Sequence, residues 1–212
     1  ADRNTVGGPL LGDFLTLAAD NEANLISGNI SDGVVISSTV AQDNKIVGNT
    51  IGLDESRGFR FGNGGRGIVV MNGPQNVTIG GTGSLGNVIS DNGGGGIYIV
   101  GKATAPITNV LILGNIIGLR RNPTANPYNA SVPINFAAGN NGDGVYVNTA
   151  DKVRIGGSVA EANTIAKNNG NGIISTGTNL TIVQNNSIGG LKNGTIYTNL
   201  GNTGNGIRVT GT

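Results

Sequence analysis

Asp54 and Glu55 are the only adjacent carboxylates among twelve acidic residues, and they open a segment, 54–66, that interrupts an otherwise regular pattern. Two neighbouring carboxylates could hold a divalent cation or divide acid and base roles between them. The pair is read instead as the solvated start of a loop. The chain has no His and no Cys, which removes the commonest general base, the serine-type triad, thiolate metal sites and disulfides. "GNNGDG" (139–144) and "SDNGGGG" (90–96) have the outline of calcium loops but lack spaced carboxylates. "GNGGRG" (62–67) has the glycines of a phosphate loop with no helical pattern behind it. Turn formation explains all three. No catalytic residue, metal ligand or cofactor is assigned.

The remaining chemistry is recognition. Segments 54–66, 120–143 and 191–205 carry Phe59, Phe61, Tyr128, Phe136 and Tyr197, together with Arg57, Arg60, Arg66, Arg120, Arg121 and Lys192. Aromatic and Arg side chains gathered in this way are enriched at interfaces and suit glycan binding. Equally, each segment could fold down as an Ω-loop and use its own aromatic as cover. Asn-x-Ser/Thr occurs at Asn29, Asn76, Asn129, Asn179, Asn185 and Asn193. In an Asn-rich chain several matches arise by accident; Asn129 and Asn193, in the long segments, are the expected acceptors if the source glycosylates exported proteins.

The elements that must position these groups show in the composition. There are 39 Gly in 212 residues, and 12% of residues are charged, against about 7% Gly and about 25% charged in an average domain. A 37% apolar fraction is too high for a disordered linker, so the aliphatics are buried between many tight turns. The net charge of +1 argues for neither a nucleic-acid partner nor an anionic membrane surface. No apolar run reaches the roughly 18 residues of a membrane span. Ala1 rather than Met opens the chain, as after removal of a leader or in a fragment.

Near-copies occur at "NKIVGNTIGL" (44–53), "NVLILGNIIGL" (109–119) and "NLTIVQNNSIGG" (179–190). Three patterns recur in fixed order. A glycine leads alternating aliphatics at Gly33, Gly67, Gly96, Gly144, Gly172 and Gly206. A strand with an Ile near its end follows, as in "NVTIGG" (76–81) and "KVRIGG" (152–157). Then comes Asn-x-Ile-small at Asn24, Asn49, Asn87, Asn115, Asn163 and Asn186. Alternation with period two marks strands, and self-similarity at a near-constant period marks a solenoid. The reading is a single all-β domain over 1–212, a right-handed parallel β-helix of about six coils of three short strands. Successive pairs of coils also match, so the larger unit is about two coils, with long insertions on alternate coils. The six Asn are expected to form a ladder at a turn.

The strings "NTVGG" (4–8), "GNTIGLD" (48–54) and "NVTIGGTGSLGNVISDNGGGGIYI" (76–99) resemble the right-handed parallel β-helix repeats of secreted and surface-anchored bacterial and archaeal proteins. The resemblance covers nearly the whole chain and implies a fold rather than an activity, because pectin-degrading enzymes, tailspikes, adhesins and passive stalks share it. Pectinolytic members carry carboxylates on an outer strand face. Here the outward positions of the glycine-led strands are Val35, Val69, Tyr98, Tyr146, Ile174 and Arg208, and those of the following strands include Lys45, Thr78, Leu111, Arg154 and Thr181. None is acidic, so the two carboxyls a glycosidase needs within about 10 Å are absent from these faces.

Tyr98, Tyr146, Val69 and Ile174, beside the aromatic and Arg-bearing segments, form the expected binding or interface surface. The stretch 9–23 interrupts the first coil and is expected to shield one end. Nothing comparable follows Val209, so more chain or another copy is expected to complete the stack. These features point to a non-catalytic extracellular or cell-surface protein that associates with copies of itself into a fibre or layer, or serves as an adhesin stalk. The alternative is a carbohydrate-binding or polysaccharide-degrading β-helix using the loop-and-tyrosine face. Ice binding would want a flat outward Thr array, which the glycine-led strands lack.

Overall fold

The computed structural model describes residues 2–9, 22–53, 61–119, 138–177, 180–193 and 196–211, with the backbone alone over 191–193 and 196–198. Three parallel sheets of six strands each make up the architecture, and each strand pairs with its equivalent one coil away. The chain is a parallel β-helix. The first coil comprises Thr5–Val6, Leu25–Ile26 and Val34–Ser37, and the sixth comprises Thr181–Gln184, Ser187–Ile188 and Ile207–Thr210. In between, every coil repeats the order of middle strand, asparagine-led strand and glycine-led strand.

Burial follows from the two-residue period. One inward column of the glycine-led sheet is Val34, Ile68, Ile97, Val145, Ile173 and Ile207, and its neighbour is Ile36, Val70, Ile99, Val147, Ser175 and Val209. The middle sheet contributes Val6, Ile46, Ile79, Ile112, Ile155 and Val183. The asparagine-led sheet contributes Ile26, Ile51, Ile89, Ile117, Ile165 and Ile188. These columns form one continuous core, fully enclosed in the central coils.

The sixth coil departs from the sequence reading. Thr181 lies opposite Val153 and so points inward, while Ile182 takes the outward position beside Arg154 and is 37% exposed. The reason is the spacing to the next turn. Val183 precedes Asn186 by three residues, as Ile46 precedes Asn49 and Ile112 precedes Asn115, and an inward Val183 forces Thr181 inward too. The hydroxyl this places inside is satisfied: Ser175 Oγ, also inward, donates to Thr181 Oγ1 at 3.1 Å.

Glycine opens the glycine-led strands for a steric reason. A Cβ at Gly67, Gly96 or Gly144 would lie 2.7–2.8 Å from the carbonyl oxygen of the next coil's glycine, and within 2.5–2.7 Å of an inward Ile methyl. The corner is too crowded for any side chain.

Alternate coils differ at their corners. In the first, third and fifth coils the connection after the middle strand is longer than its counterpart in the even coils, and in the latter two it contains a short 3-10 turn, Gly83–Leu85 or Val159–Glu161. In the second, fourth and sixth coils the long connection follows the asparagine-led strand. The sixth coil's connection carries an antiparallel hairpin, Gly190–Asn193 with Ile196–Asn199.

Candidate functional site

The glycine-led sheet turns Val35, Val69, Tyr98, Tyr146, Ile174 and Arg208 outward in one column. Val69 is only 2% exposed, whereas Val35 is 47% exposed. Tyr98 and Tyr146 stack with ring centroids 4.5 Å apart and planes 10° from parallel. Arg66, from the coil before Tyr98, places its guanidinium 4.0 Å from the Tyr98 centroid. The three side chains stack along the helix axis, with the Tyr98 ring between a cation and a second ring. Glycine makes room for this: a Cβ at Gly94 would meet Arg66 Cγ at 2.9 Å. The Tyr146 hydroxyl accepts a hydrogen bond from Asn148 Nδ2 at 3.4 Å.

Of the loop residues, Phe61 is described and is 59% exposed, at the start of the corner that ends in Arg66. Asp54, Glu55, Arg57, Phe59, Arg60, Arg120, Arg121, Tyr128, Asn129 and Phe136 lie outside the described residues. Tyr197 falls in the second hairpin strand and Asn193 ends the first; the side chains of both, and that of Lys192, also lie outside the described residues.

Two ladders of asparagines run through all six coils. In the first, Nδ2 of Asn24, Asn49, Asn87, Asn115 and Asn163 donates to Oδ1 of the next coil's Asn, ending at Asn186, over 2.8–3.1 Å. The backbone N–H groups of the same residues donate to the same oxygens. The other amide hydrogens of Asn87, Asn115, Asn163 and Asn186 reach the carbonyls of Ile46, Ile79, Ile112 and Ile155. Each central Asn thus ties adjoining coils together.

The second ladder runs Asn29, Asn63, Asn92, Asn140, Asn168 and Asn202, again Nδ2 to Oδ1, over 2.7–3.0 Å. The sequence reading missed it, although a signal was there: each of these residues stands four before the glycine that opens a strand. "GNGGRG", "SDNGGGG" and "GNNGDG" are therefore ladder corners, not ion or phosphate loops.

Three of the Asn-x-Ser/Thr sites have the amide nitrogen already engaged. Asn29 Nδ2 donates to Asn63, Asn76 Nδ2 to Asp43, and Asn185 Nδ2 to the carbonyl of Gly157. Asn179 lies outside the described residues. The described residues hold no group of three or more His, Cys, Asp or Glu placed to bind a metal. Glu161 is held below the usual carboxylate range, first by the Ser158 backbone N–H and then by Arg154, whose guanidinium lies 3.2 Å away. This pair closes a corner rather than facing a cleft.

No family model matches the chain, and comparison with curated proteins and with solved structures returns no match. Geometry alone therefore defines the class: a parallel β-helix with paired Asn ladders and, among the described residues, an axial aromatic stack.

Proposed function

We propose that this chain is a non-catalytic structural solenoid of the cell exterior that assembles with copies of itself into a fibre, layer or stalk. One observation carries the reading. The groups that the sequence offers for chemistry bond to their own counterparts on the next coil: the Asn amides in ladders and the tyrosines in a stack. An enzyme site would instead aim such groups at a shared point in a cleft. The outward column of the middle sheet through Lys45, Thr78, Leu111 and Arg154, and that of the glycine-led sheet from Val35 to Arg208, carry no Asp or Glu, and Asp151, opposite Thr108, is a lone acid with no second carboxylate paired to it. The resemblance to repeats of secreted and surface-anchored proteins supports the extracellular placement.

The glycan-binding alternative draws on Phe61 and the guanidinium of Arg66. It is weakened at the tyrosines, because a sugar platform needs a free ring face and Tyr98 lies between Arg66 and Tyr146. Sedimentation and electron microscopy over a concentration series test the structural reading, which expects growth of ordered assemblies. Cleavage of a polyuronate that is lost in the Asp54→Asn, Glu55→Gln double variant would replace it with an enzyme.

A further inference from the structure

From the aromatic stack we propose a covalent modification: Tyr98 and Tyr146 are the site of an oxidative carbon–carbon crosslink, a dityrosine bond that staples the third coil to the fourth. The crosslink forms within one molecule, so it goes beyond the self-association reading and stands or falls apart from it.

Register brings the two phenols together. Tyr98 and Tyr146 are direct partners on adjacent parallel strands, and their ring centroids lie 4.5 Å apart with planes only 10° from parallel. The strand pairing sets one ring against the face of the other, so the carbons ortho to the two hydroxyls lie on facing sides of the stack. Coupling of two phenoxyl radicals needs this approach, because the new bond grows from p orbitals that stand perpendicular to the ring planes.

The outer faces of the pair are closed. The Arg66 guanidinium, 4.0 Å from the Tyr98 centroid, covers the ring face turned away from Tyr146. Ile174, the register partner of Tyr146 on the next strand, occupies the corresponding position on the other side. Neither an arginine nor an isoleucine side chain couples with a phenoxyl radical. Among the described residues, the oxidisable ring that each tyrosine faces is the other one, which directs coupling inside the molecule. Both residues are half-buried, with solvent reaching ring edges rather than faces. The Tyr146 oxygen accepts from Asn148 Nδ2, which leaves its own hydrogen to be lost to water.

The chemistry balances with a peroxide as oxidant. Each phenol gives up one electron and one proton, and the two ortho carbons bond. The hydrogens those carbons carried pass to the phenolic oxygens as both rings become aromatic again. Hydrogen peroxide, through a peroxidase-type one-electron oxidant, takes the two electrons and two protons and becomes two waters. The chain has no Cys, so this pair supplies the covalent tie between coils that a disulfide would otherwise provide. With residues 98 and 146 joined, the unfolded chain is confined to a long closed loop and the folded solenoid gains stability.

Treatment of the full chain with a peroxidase and hydrogen peroxide tests the assignment. The expected product is a monomer lighter by two hydrogen atoms, with dityrosine fluorescence, a mapped peptide joining residues 98 and 146, and a raised melting temperature. Its yield should not change with protein concentration, as fits an intramolecular step. Tyr98→Phe and Tyr146→Phe keep the stacked shape and should each abolish that peptide. Tyr98 and Tyr146 left unlinked while free tyrosine in the same mixture is coupled would overturn the proposal. So would crosslinks that join these tyrosines to different molecules and fade on dilution. Both outcomes leave self-association untouched, since sedimentation of the untreated chain reads it separately.

Discussion

Asn115 donates to Ile79 O and Asn163 Oδ1, and its own Oδ1 accepts from the backbone and side chain of Asn87. All of this happens at 1% exposure, so removing the amide leaves several buried groups without partners. Asn115→Ala is expected to cost on the order of 3 kcal/mol, read as a shift in denaturant midpoint. Asn24→Ala, at the exposed end of the same ladder, should cost less than about 1 kcal/mol. Equal losses at the two positions would mean the ladder contributes by local turn preference rather than by coil-to-coil bonding. Thr50 gives the opposite sign. Its hydroxyl is buried with no hydrogen-bond partner, in a column whose neighbours are Leu25 and Val88. Thr50→Val removes the orphan oxygen at nearly constant shape, and thermal melting should show a gain of about 1 kcal/mol.

At the scale of the element, the corner from Arg154 to Glu161 makes a contribution that depends on pH. Glu161 accepts from the Ser158 N–H at 2.8 Å and from both terminal nitrogens of Arg154 at 3.2 and 3.3 Å, and Gly157 leaves space for them. Because the folded state holds this carboxyl below its ordinary range, the contribution is complete above the unfolded value of about 4.3. It is lost as pH falls through the lower folded value. Parent and Glu161→Gln should therefore differ in melting temperature at neutral pH and converge in acid. A gap that stays constant down to pH 2 would assign the effect to packing instead.

At the scale of the whole molecule, each coil touches only its neighbours, so stability is close to a sum over coils and their interfaces. The two-coil period then makes a specific demand on shortened chains. Gln75 and Asp151 occupy equivalent register positions two coils apart, each opposite Thr108. Deleting residues 75–150 sets an odd coil on an even one and should leave a shorter, cooperatively folding solenoid. Removal of one coil by the same logic, deleting 75–107, stacks two even coils and their long connections on one corner. Circular dichroism and melting of the two deletions should separate a folded product from an unfolded one; equal behaviour would dismiss the parity rule.

Much of this architecture was legible before any coordinates, because in a solenoid each residue's main neighbour is its own equivalent, and equivalents look alike. The glycine-led strands, the Asn-x-Ile turns and the alternation of long connections are all written in the residue types and their spacing. Three matters were settled only by the tertiary structure. The register of the sixth coil was ambiguous because "TIV" offers apolar residues to both faces, and the Asn186 rung broke the tie. The second ladder, from Asn29 to Asn202, hid inside segments that pass for ordinary turns, since an Asn at a turn and an Asn bonded across coils have the same local sequence. Finally, an outward Tyr is available to a ligand or committed to its neighbours according to what lies over its ring. Only the stacking of coils brings Arg66, Tyr98 and Tyr146 into one line, because the partners come from strands that are distant along the chain and a single coil spacing apart in space.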